Sequence, residues 1–428
     1  MRYRLLLCLV ALLGLHGGAR ADIAYFLQYY LSIPCPWRHG VPQVEVGHAM
    51  PPATEHPYSG VAAPEQRIFP YQAYCGYPHT FWLSAEFVSW WMSDGRLPPL
   101  VTAGPAGSSA VLGEPGTVLL YGGSRADLDP LLGGQFRGGM WFDFEQFWGI
   151  EGGFQFAAER SDNFVAFTPG GPGQPVISRP VVDVLTGQPA STASLIPDFR
   201  TGTVDIYVST RFLGAEGHVL RNLLCFPEGR LDLLIGFRYL ELEEHLEADE
   251  YGDLSAGILG TVPAVISDEF DARNRFYGGY VGVKAAWQWD RLTAEMMGRV
   301  SLGGTQQQIG ITGVTGIGNL TPDGIRTTFF PGGLLAQATN AGLVDRDVFG
   351  VVPEGSLRIG YQILEHLRIH AGMSLLYWNR VVRVGEQVDL GINPNIPVPP
   401  GEPQRPALLF HDRGFWLFGL SAGLEVRY

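Results

Sequence analysis

The sequence predicts an all-β protein, a transmembrane antiparallel up-and-down β-barrel of about ten strands with long outer loops and short periplasmic turns. Three observations carry this. First, the last fourteen residues put Trp416, Phe418, Leu420, Ala422, Leu424, Val426 and Tyr428 on one face, while Glu425 and Arg427 fall on the other. Successive strand side chains point to opposite faces, so this is a strand with one wholly apolar side. It ends the chain on an aromatic residue, as suits a lipid-facing strand. Second, short and long connections alternate along the chain. Third, the chain holds 57 glycines, is 12% aromatic and only 17% charged. After residue 21 no stretch reaches the roughly eighteen unbroken apolar residues that a helical span needs.

The elements follow in order. Arg2 and Arg4 precede the apolar run 5–15, and Ala19-Arg20-Ala21 follows it. A basic start, a short apolar core and an A-x-A site predict a secretory signal peptide over residues 1–21. Cleavage after Ala21 removes Arg2, Arg4 and Arg20 and takes the formal net charge from −13 to −16. Nucleic-acid binding needs clustered positive charge and is not expected. Residues 22–79 are proline-rich, with Pro34, Pro36, Pro42, Pro51, Pro52, Pro57, Pro64, Pro70 and Pro78. Proline removes a ladder donor and fixes φ, so this segment reads as a periplasmic extension. Cys35, Cys75 and Cys225 remain after cleavage, an odd count that leaves one thiol over. Cys35–Cys75 is the pairing expected.

The barrel proper is expected over residues 80–428. Period-two alternation marks 81–92, 136–144, 148–158, 203–220, 231–239, 276–289, 292–302, 349–363, 367–377 and 415–428. A change of phase near Phe212-Leu213 predicts a bulge in the fourth. Four connections are short, near Gln146-Phe147, Cys225–Gly229, Trp289-Asp290 and Glu365-His366. Five are long, over 93–135, 160–202, 241–274, 303–348 and 381–413. Loops of that length are unusual in a compact soluble domain, whereas short turns inside and long loops outside are the outer-membrane arrangement. A helical reading fails because apolar positions recur at two rather than at three and four. A soluble β-sandwich is the competing reading. Trp82, Trp90, Trp91, Trp287, Trp289 and Trp416 are expected at the membrane interfaces.

If the apolar face meets lipid, the other face lines the lumen. That assigns Arg137, Arg211, Arg238, Lys284, Arg299, Arg358, Arg368 and Arg427 to the bore, with Asp143, Glu151, Asp205, Asp232, Glu295, Glu354 and Glu425 among them. The mixed signs fit either an ion-selective pore or a plug of paired charges. Eight strands enclose room only for side chains and sixteen leave a channel, so ten lie near the closed end. Buried charge prefers pairing to emptiness, which favours the plug or a constricted pore.

Several blocks resemble a known family. They are FRGGMWFDFEQFWGIEGGFQF (Phe136–Phe156), LDLLIGFRYLELEEHL (Leu231–Leu246), RNRFYGGYVGVKAAW (Arg273–Trp287), VVPEGSLRIGYQI (Val351–Ile363) and LLYWNRVVRVGEQVD (Leu375–Asp389). Together they resemble the seventh putative beta-barrel porin family, a group of outer-membrane barrels, from about Phe81 to Tyr428. The resemblance implies location in the cell outer membrane and a barrel architecture. It says little about transport, because the family is defined by topology.

The functional expectation is an outer-membrane barrel, a narrow pore or structural envelope barrel with large surface loops. A surface adhesion or binding protein is the alternative, and an outer-membrane hydrolase a weaker one. No H-E-x-x-H or P-loop occurs, so no enzyme activity, catalytic residue, metal or cofactor is expected. Hydrolase candidates are limited to His411-Asp412, Asp345 with Asp347, and His245 with Glu243 and Glu244. The acidic stretch Glu241, Glu243, Glu244, Glu247, Asp249, Glu250 and Asp253 suggests calcium, but the spacing is not that of a calcium loop and a solvated acidic loop is the favoured reading. Expected partners are outer-membrane lipid and the barrel-assembly machinery. The latter would read the terminal strand through Trp416, Phe418, Leu420, Leu424, Val426 and Tyr428.

Overall fold

The structure is a computed structural model. It describes residues 80–93, 95–123, 130–143, 145–169, 173–196, 199–255, 261–321 and 324–428. The expected signal peptide and proline-rich extension lie outside the described residues.

Ten long strands form one antiparallel ring. They are β1 (Phe81–Met92), β2 (Leu131–Trp141), β3 (Trp148–Phe167), β4 (Phe199–Phe226), β5 (Gly229–Ser255), β6 (Thr261–Trp289), β7 (Leu292–Thr321), β8 (Gly342–Leu364), β9 (Leu367–Val382) and β10 (Asp412–Arg427). Each pairs with its sequence neighbours. The ring is closed by β1 against β10, from Trp82 opposite Arg427 to Met92 opposite Leu417. This is an up-and-down barrel, and both its ends lie at the end that carries the short turns. No helix among the described residues is long and apolar enough to cross a membrane; the strands make the crossing.

Strand ends at the short-turn side fall where the sequence places them. At the opposite side they do not. Segments 241–274 and 303–348 read as loops, yet β5, β6 and β7 run to 27, 29 and 30 residues. At about 3.3 Å per residue these strands greatly exceed an apolar band of about 25 Å. The barrel wall therefore continues outward as a head.

Strand β5 shows why. Its outward side chains are Leu231, Leu233, Ile235, Phe237 and Tyr239, and then Glu241, Glu243, His245, Glu247 and Asp249. Its buried inward side chains begin with Arg230 and Asp232 and pass, after Arg238, to Leu240, Leu242, Leu246 and Ala248. The alternation keeps its phase, but its chemistry inverts at Tyr239. Below that level the outward side chains are apolar and most inward ones polar. Above it the outward side chains are charged and most inward ones apolar. Tyr239 and Tyr277 lie side by side at the boundary, tilted at 45° with centroids 5.0 Å apart, where interfacial aromatics are found.

The head core contains Val204, Ile206, Leu246, Ile266, Phe270, Ile309 and Ile311 from the strands. Loop residues Leu100, Val101, Ile177, Leu335, Val384 and Ile392 complete it. The loops carry small sheets of their own, one pairing 101–104 with 118–121 and 176–178. A single helical turn, Thr192–Leu195, is capped reciprocally by Ser191 and Ser194.

The expected bulge near Phe212 is found on the partner strand. Ala157 opposes Phe212 and Arg160 opposes Thr210, so Ala158 and Glu159 face Arg211 alone. Strand β4 itself keeps one phase there. Trp82 and Trp90 turn inward and are buried, which removes them from the interfacial set.

Cys225, beside the turn between β4 and β5, is disulfide-bonded. The other cysteines are Cys8, Cys35 and Cys75, and the expected Cys35–Cys75 pairing lies outside the described residues.

Candidate functional site

The bore is layered, and its lowest layer is a polar vestibule at the short-turn end, with a cavity of about 70 Å³. Arg137, Glu151, Asp232, Lys284, Glu295, Arg358, Arg368, Glu425 and Arg427 all line it. Lys284, the sole lysine of the chain, sits 2.9 Å from Glu151. Glu151 also accepts from Trp82 Nε1 at 2.9 Å and lies 3.5 Å from His218. Arg230 bonds Asp232 and Gln146 and stacks over the Trp141 ring at 4.0 Å. Across the vestibule, Glu295 is 3.2 Å from Arg427, 3.6 Å from Arg358 and 3.7 Å from Arg368. Glu425 pairs with Arg368 and Arg427, and Arg358 pairs with Glu86.

The second layer is a closed set of four charges. Arg299 meets Glu216 at 2.6 Å and Glu354 at 3.0 Å. Arg238 meets Glu354 at 2.5 Å and Glu216 at 3.6 Å. These side chains come from β4, β5, β7 and β8, so the set spans the bore. Both arginine side chains are at most 1% exposed. Burial of charge is tolerated here because each ion has two opposite neighbours.

The third layer is apolar. Val88, Trp90, Phe212, Leu240, Leu242, Phe276, Val352, Leu376, Trp378, Phe415 and Leu417 form one buried cluster. Phe276 and Trp378 meet edge-on, with centroids 6.0 Å apart. Trp378 Nε1 donates to Thr305 Oγ1 at 3.0 Å, which satisfies the one polar atom of that ring. Gly350 makes room, since a Cβ there would meet the Phe276 ring at 3.0 Å.

Above this, buried wall residues fasten the loops. Glu244 accepts from Arg383 Nε at 2.8 Å and from the Val384 backbone at 3.0 Å. Asn274 exchanges two 2.8 Å hydrogen bonds with the Val382 backbone. Asp268 pairs with Arg179 at 2.7 Å and accepts from the backbones of Leu335 and Ala336. Glu250 accepts from Thr192 and Thr201, and its burial raises its pKa above the usual carboxylate range.

Three residues assigned to the bore lie elsewhere. Asp143 caps the turn between β2 and β3, accepting from the backbones of Phe147 and Trp148. Asp205 alternates with the buried Val204 and Ile206 and faces outward on the head. Arg211 is also outward and pairs with Glu241 and Glu243. The last two miss because the apolar-side-out rule reverses above the membrane. Glu86, Glu216, His218 and Arg230 are bore residues that the assignment left out; their alternation with Leu83, Ala215, Val219 and Leu231 was the available signal.

The hydrolase candidates are dispersed. Glu244 points inward while His245 points outward. Glu243 is held by Arg211 and Arg273. Asp412 is held by Arg346 and Arg380. The acidic stretch proposed for calcium is likewise split between the two faces of β5.

Solved barrels of similar course include the outer membrane protease OmpT from Escherichia coli, at 12% identity and a TM-score of 0.34, covering 82% of this chain and 97% of that one. The Pseudomonas putida toluene transporter TodX gives 7% and 0.22, with 83% and 91% covered. A Pseudomonas aeruginosa FadL homologue gives 9% and 0.21, with 82% and 90% covered. At these values the likenesses carry no argument about activity. Among curated proteins none matches the chain. A family model does match, over residues 82–428, which is the whole barrel and its head. The chain is an outer-membrane β-barrel protein and belongs to the family Putative beta barrel porin-7 (BBP7).

Proposed function

We propose that this protein is a closed barrel that carries a folded head at the cell surface, in a structural or adhesive role rather than as a conduit. One observation supports this above the others. The apolar layer around Phe212, Phe276, Trp378 and Phe415 fills the bore with side chains that are fully buried. An ion crossing it would leave water with no polar partner, at a cost of many kcal/mol. The paired charges beneath it stabilise the barrel rather than select ions. The test is planar-bilayer recording of the refolded full chain. No steady conductance is expected; stable, reproducible conductance steps would restore the narrow-pore reading. A hydrolase has the least support, because its candidate pairs are scattered.

We also propose that lipid covers the apolar band and that the assembly machinery engages the chain through β10. The motive is the outward series Trp416, Leu420, Leu424 and Tyr428, all well exposed. Deleting Tyr428 is expected to leave export intact while assembled barrel falls at least severalfold, read from membrane fractions by heat-modifiable migration. Unchanged levels of the truncated chain would refute it.

A further inference from the structure

The outer wall of the head changes character along β5 and β6. In the rows nearest the membrane, acids and arginines neutralise one another: Glu241 with Arg275, and Glu243 with Arg211 and Arg273. In the next rows the arginines stop. Glu247 lies directly opposite Glu269, and Asp249 directly opposite Asp205. Like charges in facing register destabilise a sheet. Among the described residues none of these four, nor Asp271, meets an arginine or lysine within ion-pair distance. Asp205 Oδ1 and Asp249 Oδ1 are also shielded from solvent without a hydrogen-bond donor. Five carboxylates therefore share one patch, and among the described residues the imidazole of His245 is its only cationic partner.

That imidazole is where the donor atoms converge. His245 Nδ1 lies 2.9 Å from Asp271 Oδ1 and 3.9 Å from Glu269 Oε1. The donor atoms of His245, Glu269 and Asp271 all fall within 4.8 Å of one another. Its Nε2 faces Glu247 at 3.9 Å, and the Tyr207 ring of β4 packs against it at 6.0 Å. His245 and Asp271 face one another across the two strands and Glu269 is their diagonal neighbour, so their backbones are already fixed by the ladder. The side chains are 25 to 55% exposed and free to rotate until their donors close on an ion.

We propose that this patch is a divalent transition-metal site, of the zinc class, with His245, Glu269 and Asp271 as ligands and water completing the shell. A nitrogen donor with two carboxylates suits zinc, whereas calcium takes oxygen alone. The ion would offset the repulsion between the facing acids and pin β5 to β6 at the level where the wall leaves the membrane surface behind. Glu247 stays at the rim and adds field rather than a bond.

Protons compete for the same atom. An imidazole nitrogen must be free of its proton to ligate a metal, so binding weakens as the pH falls.

The experiment is calorimetric titration of zinc into the refolded full chain in detergent, at pH 8 and pH 6, with His245→Gln and Asp271→Asn alongside. One zinc per chain is expected at pH 8, at least tenfold weaker at pH 6 and in either variant. The variants change only exposed side chains, and far-ultraviolet circular dichroism together with heat-modifiable migration checks their fold. A second readout is the melting temperature, expected to rise with zinc in the native chain and not in His245→Gln. Binding equal in the native chain and both variants would overturn the proposal. So would calcium binding at the same patch in place of zinc.

Discussion

Glu354→Ala is expected to destabilise the folded barrel by about 3–5 kcal/mol, because it strips a partner from two buried arginines at once. Arg238 lies 2.5 Å and Arg299 3.0 Å from that carboxylate. Glu216 alone would then face both guanidinium groups, whose side chains are fully buried. Urea unfolding of the refolded protein in detergent measures the loss. Arg275→Ala is the control. Its ion pair with Glu241 spans 3.4 Å on the outer wall, and its side chain is 28% exposed, so the loss there should stay below about 1 kcal/mol. A loss at Glu354 as small as the control would mean that water reaches the second layer and that the bore is hydrated throughout.

The second large effect is expected at the apolar layer. Trp378 is fully buried against Phe276 and anchored to Thr305. Trp378→Ala should cost about 3–5 kcal/mol, since the surrounding ring of strands can collapse only partly into the space vacated. Trp378→Phe should cost less, retaining most of the apolar volume while leaving the Thr305 hydroxyl without its donor. Conductance should remain absent in both. A variant that melts normally and conducts would show instead that the layer is a movable gate.

The ten strands and their turns were legible because the membrane enforces a simple rule over the segment it covers. Every second residue faces hydrocarbon, and each short turn ends the pattern abruptly. The terminal strand carries that rule almost without exception, and β10 occupies Asp412–Arg427. The head was not legible for the same physical reason. Where the wall emerges into water the preferred side reverses, so Glu241, Glu243 and His245 read as a polar loop although they continue β5 in unbroken register. Asp205 and Arg211 were misplaced by carrying the membrane rule past its limit. The four-charge set was half visible. Arg238, Arg299 and Glu354 lie on clean alternating stretches, but Glu216 follows the irregular stretch opposite the bulge at Ala158-Glu159. The inward turn of Trp82 follows from the face it shares with Ser84 and Glu86; what the local pattern does not reveal is its partner Glu151, 69 residues away.

The wall also differs in height around its circumference. Five neighbouring strands, β4 to β8, have 23 to 30 residues. Those on the opposite flank, β9, β10, β1 and β2, have 11 to 16. On the tall flank, inserting one residue would flip every later side chain between core and water, so its length is locked. The low flank is topped by loop residues 95–123 and 383–411, where only the exposed turns between the small sheets and core residues absorb insertions at little cost. Chain length can therefore vary at those turns on one profile of this molecule while the other stays constant.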